Sequence, residues 1–189
     1  MAAAPALQHP PELLLSAQGI RCAIFDVDGV LTDGRIYIGE HGEEFKAFST
    51  LDGHGLKLLI RFGITPVVIT GRDSPAVRRR VADLGIAHAV YGAVDKVAAA
   101  LPVLAQIGVG WDAVAAMGDD WPDLPLLTRA AFACAPANAH VEVKAAAHHV
   151  TEASGGFGAA RECCDLLLMA GGNYATALGD HLVTLDRGT

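Results

Sequence analysis

Short apolar runs and helix-like stretches alternate along most of the chain. The apolar runs are rich in branched side chains, which is typical of buried strands, and they lie at 21–25, 64–70, 87–91, 113–117 and 131–134. Helical spacing of apolar residues, often followed by glycine, occurs at 54–62, 74–84, 95–107, 123–128, 138–146 and 159–169. This alternation predicts an α/β fold with a doubly wound, mainly parallel, Rossmann-like sheet that helices cover on both faces.

A different pattern occupies residues 35–48. Ile36, Ile38 and Phe45 flank a polar turn at 39–43, and this arrangement predicts a small antiparallel hairpin. Because strands and helices resume directly after it, the hairpin is expected to act as a flap beside the sheet and not as a separate domain.

The two ends of the chain lack the alternation. Residues 1–18 are interpreted as a tail with a short helix at 11–18, and residues 171–189 as a weakly structured C-terminal tail. The interval 19–170 is expected to form one domain, which fits a chain of 189 residues.

Composition and charge narrow the classes of function. Apolar residues make up 52% of the chain and charged residues 19%, as in folded globular proteins. The net charge of −7 argues against nucleic acid or an anionic membrane as the main partner, although a small anionic substrate needs only a local cationic pocket.

No apolar run reaches transmembrane length and no signal peptide is recognisable, so the cytoplasm is the expected location. The cysteines lack metal-type spacing and are interpreted as small buried hydrophobes in a reducing compartment: Cys22, Cys134, Cys163 and Cys164.

Two carboxylates, Asp26 and Asp28, follow the first predicted strand directly. Carboxylates at the end of a buried strand are costly unless they are paired, and a divalent cation relieves that cost. Asp26 is then placed to attack phosphorus, while Asp28 is placed to protonate the leaving oxygen and later to activate water.

Three further clusters follow predicted strands or begin a helix. Thr70 and Gly71 end the run ITPVVIT, where a hydroxyl and a backbone N–H can hold phosphate oxygens. Lys96 begins a helix and offsets negative charge. The acidic segment 118–123 offers the hard oxygen ligands that suit Mg²⁺. Each cluster alone also fits a turn, a solvated lysine or a helix cap, and only their order and placement favour phosphoryl chemistry.

This ordered set resembles the haloacid dehalogenase superfamily of phosphohydrolases. The resemblance implies Asp26 as nucleophile, Asp28 as acid/base, and Thr70 and Lys96 as phosphate ligands. It further implies a Mg²⁺ site made by Asp26, Asp28 and Asp119, in which Asp28 contributes its backbone carbonyl, with Asp120 and Asp123 in support. Between Asp28 and Thr70 the chain holds only the predicted hairpin and one helix, so no cap domain is expected. An open site of this kind is wet and poorly selective, which predicts closure by a neighbouring subunit.

Within the superfamily, the segments FDVDGVLTDGRIYIGEHGEEFKAF, LDGHGLKLL, TGRDS, GDDWPDLPLL and GGFGAARECCDLLL are similar to the capless 3-deoxy-D-manno-octulosonate 8-phosphate phosphatase family. The resemblance spans about residues 18–170. It implies a sugar acid phosphate substrate in lipopolysaccharide inner-core synthesis and a homotetramer in which the hairpins pack together. The implied substrate contacts are Asp28, Ser49, Thr50, Leu51, Asp52, Gly53, Lys57, Gly71, Arg72, Arg80, Lys96 and Asp120.

Alternatives stay open at this point. A capless phosphatase for a nine-carbon sugar acid phosphate has the same motifs, and a receiver domain uses similar residues in another order. Arg80 also fits a solvated helix face, and Asp52 also fits a cap of the helix that follows it. The family pattern is broken by Leu51, Lys57 and Phe157, which stand where arginine is common.

Overall fold

The computed structural model describes residues 5–186, except for the side chains of 43, 44 and 183–186. The strands, numbered along the chain, are β1 (Cys22–Phe25), β2 (Tyr37–Gly39), β3 (Gly42–Phe45), β4 (Thr65–Ile69), β5 (His88–Val90), β6 (Val114–Met117), β7 (Phe132–Ala135) and β8 (His149–Val150). Six of them form one sheet in the order β5-β4-β1-β6-β7-β8, and every pairing in it is parallel. The predicted parallel sheet is therefore confirmed.

The helices are α1 (Pro11–Ser16), α2 (Thr50–Arg61), α3 (Pro75–Leu84), α4 (Lys96–Ile107), α5 (Leu124–Leu127), α6 (Val141–Ala146), α7 (Ala159–Ala170) and α8 (Tyr174–Asp186). They cover both faces of the sheet, as the packing of two neighbouring residues of β1 shows. Phe25 packs in a cluster with side chains of α2, α3 and α7, whereas Ile24 packs in a cluster with side chains of α4, α5 and α6. This division confirms the doubly wound architecture.

The hairpin forms as predicted and leaves an apolar surface open. β2 pairs with β3 in antiparallel register, and the rings of Tyr37 and Phe45 stack with their centroids 4.6 Å apart. Ile38 is 77% exposed and Phe45 is 54% exposed. Between β1 and β4 the chain contributes this hairpin and α2, so the expectation of a fold without a cap domain is met.

Side-chain caps fix the starts of α2 and α4. The hydroxyl of Ser49 accepts hydrogen bonds from the backbone N–H groups of Leu51 and Asp52, so α2 begins at Thr50, earlier than the apolar spacing indicated. The carboxylate of Asp95 accepts from Val97 and Ala98 at 3.0 Å each, which makes Lys96 the first residue of α4.

Up to residue 186, the expectation of weak structure after residue 170 is wrong, while residues 187–189 lie outside the described part of the chain. α8 occupies Tyr174–Asp186 and packs on the rest of the molecule through the buried Ala177. Asp180 of α8 also accepts from Arg61 at 2.6 Å. The assignment of 171–189 as a tail outside the domain stays a prediction. Among the helices in the described range, none is long and apolar enough to cross a membrane.

Candidate active site

The predicted catalytic side chains meet at the carboxyl ends of the central strands. Asp26 follows β1, Thr70 follows β4 and Asp119 follows β6, so the parallel sheet brings them to one edge. They share a pocket of about 500 Å³. Its polar lining is made of Asp26, Asp28, Thr70, Gly71, Arg72, Lys96, Asp119, Asp120 and Asp123.

Three carboxylates in this pocket are arranged as a cation site. Asp26, Asp119 and Asp123 each present an oxygen, and the three oxygens lie within 4.8 Å of one another. Hard oxygen ligands of this kind suit Mg²⁺. The sequence analysis predicted that Asp28 would bind the metal through its backbone carbonyl. In the structure, the third carboxylate beside those of Asp26 and Asp119 belongs to Asp123.

The pKa values of Asp26 and Asp119 are both raised, as expected for carboxylates that share a cation site. Burial raises the pKa of Asp119 to about 7, and repulsion from Asp26, Asp123 and Asp120 adds to the rise. Burial also raises the pKa of Asp26, together with repulsion from Asp123 and against the attraction of Lys96. Both pKa values rise because the carboxylates are close together and shielded from water, which makes their negative charges unfavourable. A bound divalent cation would neutralise part of that charge and remove the unfavourable energy.

Lys96 lies between two of the carboxylates. Its Nζ is 2.8 Å from Oδ1 of Asp26 and 2.5 Å from Oδ1 of Asp123, and its side chain is buried. Burial lowers the pKa of a lysine, but the two carboxylates outweigh burial and raise the pKa of Lys96. Lys96 therefore carries a positive charge beside the proposed nucleophile.

The segment 118–123 is held in shape by its own last residue. Oδ2 of Asp123 accepts the backbone N–H groups of Asp119 at 3.1 Å and Asp120 at 3.3 Å. Gly29 lets this segment approach the first motif, since a Cβ at position 29 would overlap the carboxylate of Asp119. The spacing of the two motifs thus depends on a glycine that the sequence analysis had not connected to Asp119.

Asp28 is held by a residue that the sequence analysis missed. Nζ of Lys46 lies 2.5 Å from Oδ1 of Asp28, and Nε of Arg72 lies 3.8 Å from Oδ2. Lys46 follows β3, where the amphipathic pattern of a hairpin gives a lysine no distinguishing signal. Its buried side chain could be recognised only once the end of the hairpin was placed next to Asp28, in the segment after β1.

Asn138 is a second residue that the sequence analysis missed. Its Nδ2 donates to the carbonyl of Gly29 at 3.0 Å, and its Oδ1 accepts from the backbone N–H of Gly155 at 2.6 Å. Gly155 packs against the same carbonyl so closely that a Cβ there would overlap it. Asn138 therefore fixes the glycine loop of 155–158 against the first motif.

A group of predicted substrate residues lies elsewhere. Within the described part of the chain, the residues that line the pocket of Asp26 do not include Ser49, Thr50, Leu51, Asp52, Gly53, Lys57 or Arg80. Thr50, Gly53, Lys57 and Arg80 instead line a separate groove of about 220 Å³ between α2 and α3, together with His54. Lys57 and Arg80 give that groove a positive charge.

The structure shows the intramolecular partners of two residues in this group, whose substrate roles stay predictions. Asp52 does not cap the helix that contains it: Ser49 caps α2, and Oδ1 of Asp52 accepts the backbone N–H of Arg161 at 2.8 Å, near the start of α7. Arg80 is only partly exposed and donates to the carbonyl of Ser49 at 3.0 Å, so it is not a freely solvated side chain. Its neighbours Arg78 and Arg79 are more exposed.

The four cysteines are free and buried, as predicted. The adjacent histidines also find partners within the protein. Nδ1 of His148 accepts the backbone N–H of Ala133 at 2.9 Å, and Nε2 of His149 lies 3.2 Å from the carboxylate of Glu162. In the described part of the chain, neither histidine belongs to a group that could hold a metal.

Comparison with known proteins identifies relatives over nearly the whole chain. A family model described as haloacid dehalogenase-like hydrolase matches residues 85–160. The 3-deoxy-D-manno-octulosonate 8-phosphate phosphatase of Salmonella typhimurium is 41% identical over 91% of this chain and 92% of its own length. The corresponding phosphatase of Escherichia coli K12 is 40% identical over 90% of this chain and 91% of its own.

Solved structures agree with this assignment. The 3-deoxy-D-manno-octulosonate 8-phosphate phosphatase of Moraxella catarrhalis, in complex with a magnesium ion, a phosphate ion and a KDO molecule, has a TM-score of 0.88 and 37% identity, covering 92% of this chain and 99% of that one. The phosphatase of Yersinia pestis has a TM-score of 0.84 and 41% identity, covering 87% and 89%. These relatives are hydrolases, so the receiver-domain alternative is set aside. The chain belongs to the 3-deoxy-D-manno-octulosonate 8-phosphate phosphatase family of haloacid dehalogenase-like hydrolases.

Proposed function

We propose that the chain is a magnesium-dependent phosphoric monoester hydrolase that converts 3-deoxy-D-manno-octulosonate 8-phosphate into the free sugar acid and phosphate, a step of lipopolysaccharide inner-core synthesis. The observation that carries the proposal is the set of carboxylates of Asp26, Asp119 and Asp123, gathered beside Lys96 in one pocket. The substrate follows from the relatives, which bear the name of this activity at about 40% identity.

The residues present fit a magnesium ion. Asp26 and Asp119 would hold it, with the backbone carbonyl of Asp28 as a further ligand and Asp123 in support. When bound, the cation offsets the repulsion between the carboxylate of Asp26 and the phosphoryl oxygens.

The chain's own residues account for both halves of the reaction. A carboxylate oxygen of Asp26 forms a bond to phosphorus while the bond from phosphorus to the sugar oxygen breaks, and Asp28 gives its proton to that leaving oxygen. Asp28 then takes a proton from water, whose oxygen attacks phosphorus and breaks the bond to Asp26. Inorganic phosphate leaves and the free carboxylate returns.

Other side chains in the pocket orient the phosphoryl group. The hydroxyl of Thr70 and the backbone N–H of Gly71 are placed to donate to its oxygens, and Lys96 stabilises the charge that develops on them. Arg72 and Asp120 line the same pocket and are proposed as contacts of the sugar acid. A guanidinium suits the carboxylate of such a substrate because it can donate two parallel hydrogen bonds.

The cationic groove of α2 and α3 is proposed to complete the site of a neighbouring subunit. Its residues Lys57 and Arg80, with the segment 49–53, lie outside the pocket of Asp26 in a single chain. The exposed apolar side chains of the hairpin, Ile38 and Phe45, favour packing against other copies of the chain. We propose a homotetramer assembled through the hairpins.

The proposed location is the cytoplasm. Its support is the state of the cysteines, all of which are free and buried, as expected in a reducing compartment.

A panel of sugar acid phosphates tests the proposed function. Purified protein with Mg²⁺ is expected to release phosphate from the eight-carbon 8-phosphate with a higher kcat/KM than from the nine-carbon 9-phosphate. Asp26→Asn serves as the matched control that separates this activity from a contaminating phosphatase. Release from neither substrate contradicts the proposed activity, and a higher kcat/KM for the nine-carbon substrate contradicts the proposed specificity.

A further inference from the structure

Lys46 is a buried lysine to which the proposed mechanism assigns no part. It follows β3 directly, and its side chain has no exposed surface, although Phe45 and Ala47 on either side are exposed. Successive side chains of an extended segment point in opposite directions, so this alternation turns Lys46 inward while its neighbours face solvent. A buried ammonium group is costly unless a carboxylate compensates it.

A carboxylate that compensates Lys46 is that of the proposed acid/base. Nζ of Lys46 lies 2.5 Å from Oδ1 of Asp28. The other oxygen, Oδ2, lies on the side of Arg72, whose Nε is 3.8 Å away and whose side chain lines the pocket. Lys46 thus holds one oxygen of Asp28 and leaves the second toward the substrate pocket, where a proton must be delivered.

The same contact joins Asp28 to the hairpin. Lys46 directly follows the last residue of β3. The same hairpin carries the exposed side chains of Ile38 and Phe45, which are proposed to pack against other copies of the chain. Any change in how the hairpin docks moves the backbone that carries Lys46. The orientation of Asp28 is therefore linked to the position of the hairpin.

We propose that Lys46 is a positioning residue that orients Asp28 for protonation of the leaving oxygen and makes this step depend on the docked hairpin. The inference rests on the proposed function. In the step concerned, the bond from Asp26 to phosphorus forms, the bond from phosphorus to the leaving oxygen breaks, and the proton on Oδ2 of Asp28 passes to that oxygen. Lys46 donates to Oδ1 before and after the transfer.

Dependence on the leaving group distinguishes this role from a structural one. A sugar alkoxide needs a proton to leave, whereas p-nitrophenolate leaves without one. The comparison uses the single-turnover rate of leaving-group release, because the later hydrolysis at Asp26, in which Asp28 activates water, is common to both substrates. Lys46→Met is expected to lower this rate by about 10- to 100-fold for the sugar acid phosphate and by less than about threefold for p-nitrophenyl phosphate. Lys46→Arg keeps a cation next to Asp28 and is expected to recover much of the lost rate on the sugar acid phosphate.

Two controls accompany this measurement. Lys144→Met removes a lysine of α6 outside the pocket and is expected to leave the ratio of the two rates at its wild-type value. Combining Lys46→Met with Asp28→Asn should add little to the loss caused by Asp28→Asn alone, because the group that Lys46 positions is already disabled.

Circular dichroism and thermal melting establish that each variant folds, and Lys46→Gln replaces Lys46→Met if the latter does not. Equal losses on both substrates in a folded variant, or no loss on the sugar acid phosphate, overturn the role of Lys46. A wild-type protein that releases no phosphate from the sugar acid phosphate contradicts the proposed function instead, so the two failures are distinguishable.

Discussion

Lys96 is a buried cation that compensates the charges of two buried carboxylates. It lies within 2.8 Å of both Asp26 and Asp123, and Lys96→Met would leave two buried carboxylates without their counter-charge. Removing one partner of a buried ion pair costs about 3–5 kcal/mol, so we expect a fall of that order in the free energy of unfolding, measured by urea denaturation in EDTA. Adding Asp123→Asn should restore part of it, and an unchanged free energy of unfolding would contradict the described charge balance.

Residues that follow a strand directly were the ones that the sequence placed well. Asp26 and Thr70 follow β1 and β4 directly and Asp119 follows β6 after one glycine, and parallel strands bring their carboxyl ends to one edge of the sheet. Lys46 and Asn138 were missed because each acts through a contact between segments that are remote in sequence. Neither the pairing of Lys46 with Asp28 nor the bridge made by Asn138 leaves a mark in the local pattern.

At the scale of elements, Asp52 joins α2 to α7. Its buried carboxylate accepts the backbone N–H of Arg161 near the start of α7. Asp52→Ala would leave that donor unpaired, and we expect a loss of about 1–2 kcal/mol in the free energy of unfolding, measured by urea denaturation. Asp52→Asn, which keeps an acceptor oxygen, should lose less. Unaltered stability with a raised KM would instead identify Asp52 as a substrate ligand.

Apolar spacing predicted the first and last residues of a helix or strand well only where apolar residues were frequent. α2 begins at Thr50 because Ser49 caps it, although its first turn contributes few apolar side chains to the pattern. α8 was missed for a related reason: among its described side chains only Ala177 is buried, with Tyr174 packed against the same core, which is too few apolar contacts to produce a recognisable spacing. Strands β1, β4 and β6 were predicted closely, since a run buried on both faces is apolar throughout.

At the scale of the whole molecule, magnesium should stabilise the fold and not only the reaction. The carboxylates of Asp26 and Asp119 repel each other in the folded chain, and a cation that binds only this state adds about 2.7 kcal/mol at a concentration 100 times its Kd. Thermal melting should therefore show a higher Tm with Mg²⁺ than with EDTA. In Asp119→Ala the effect of Mg²⁺ on Tm should largely disappear, and an undiminished effect would place the bound ion elsewhere.

Assembly through the hairpins is a second property of the whole molecule. Ile38 is the most exposed apolar side chain of the hairpin, so Ile38→Glu would place a charge in the proposed interface. We expect native mass spectrometry to show a tetramer for the wild type and smaller species for the variant. Glu40→Gln, at the turn of the same hairpin, is the matched control that should stay tetrameric. A wild-type monomer with full activity would contradict the proposed closure of the site by a neighbour.

The phosphoryl group on Asp26 can be trapped directly. Wild-type protein with Mg²⁺ and 3-deoxy-D-manno-octulosonate 8-phosphate is quenched in acid during turnover, reduced with borohydride, digested and examined by mass spectrometry. Reduction of an aspartyl phosphate yields homoserine, which we expect at position 26 in the wild type and not in Asp26→Asn. Phosphate release by the wild type with no modification at Asp26, or with the modification at another residue, would contradict the role of Asp26 as nucleophile.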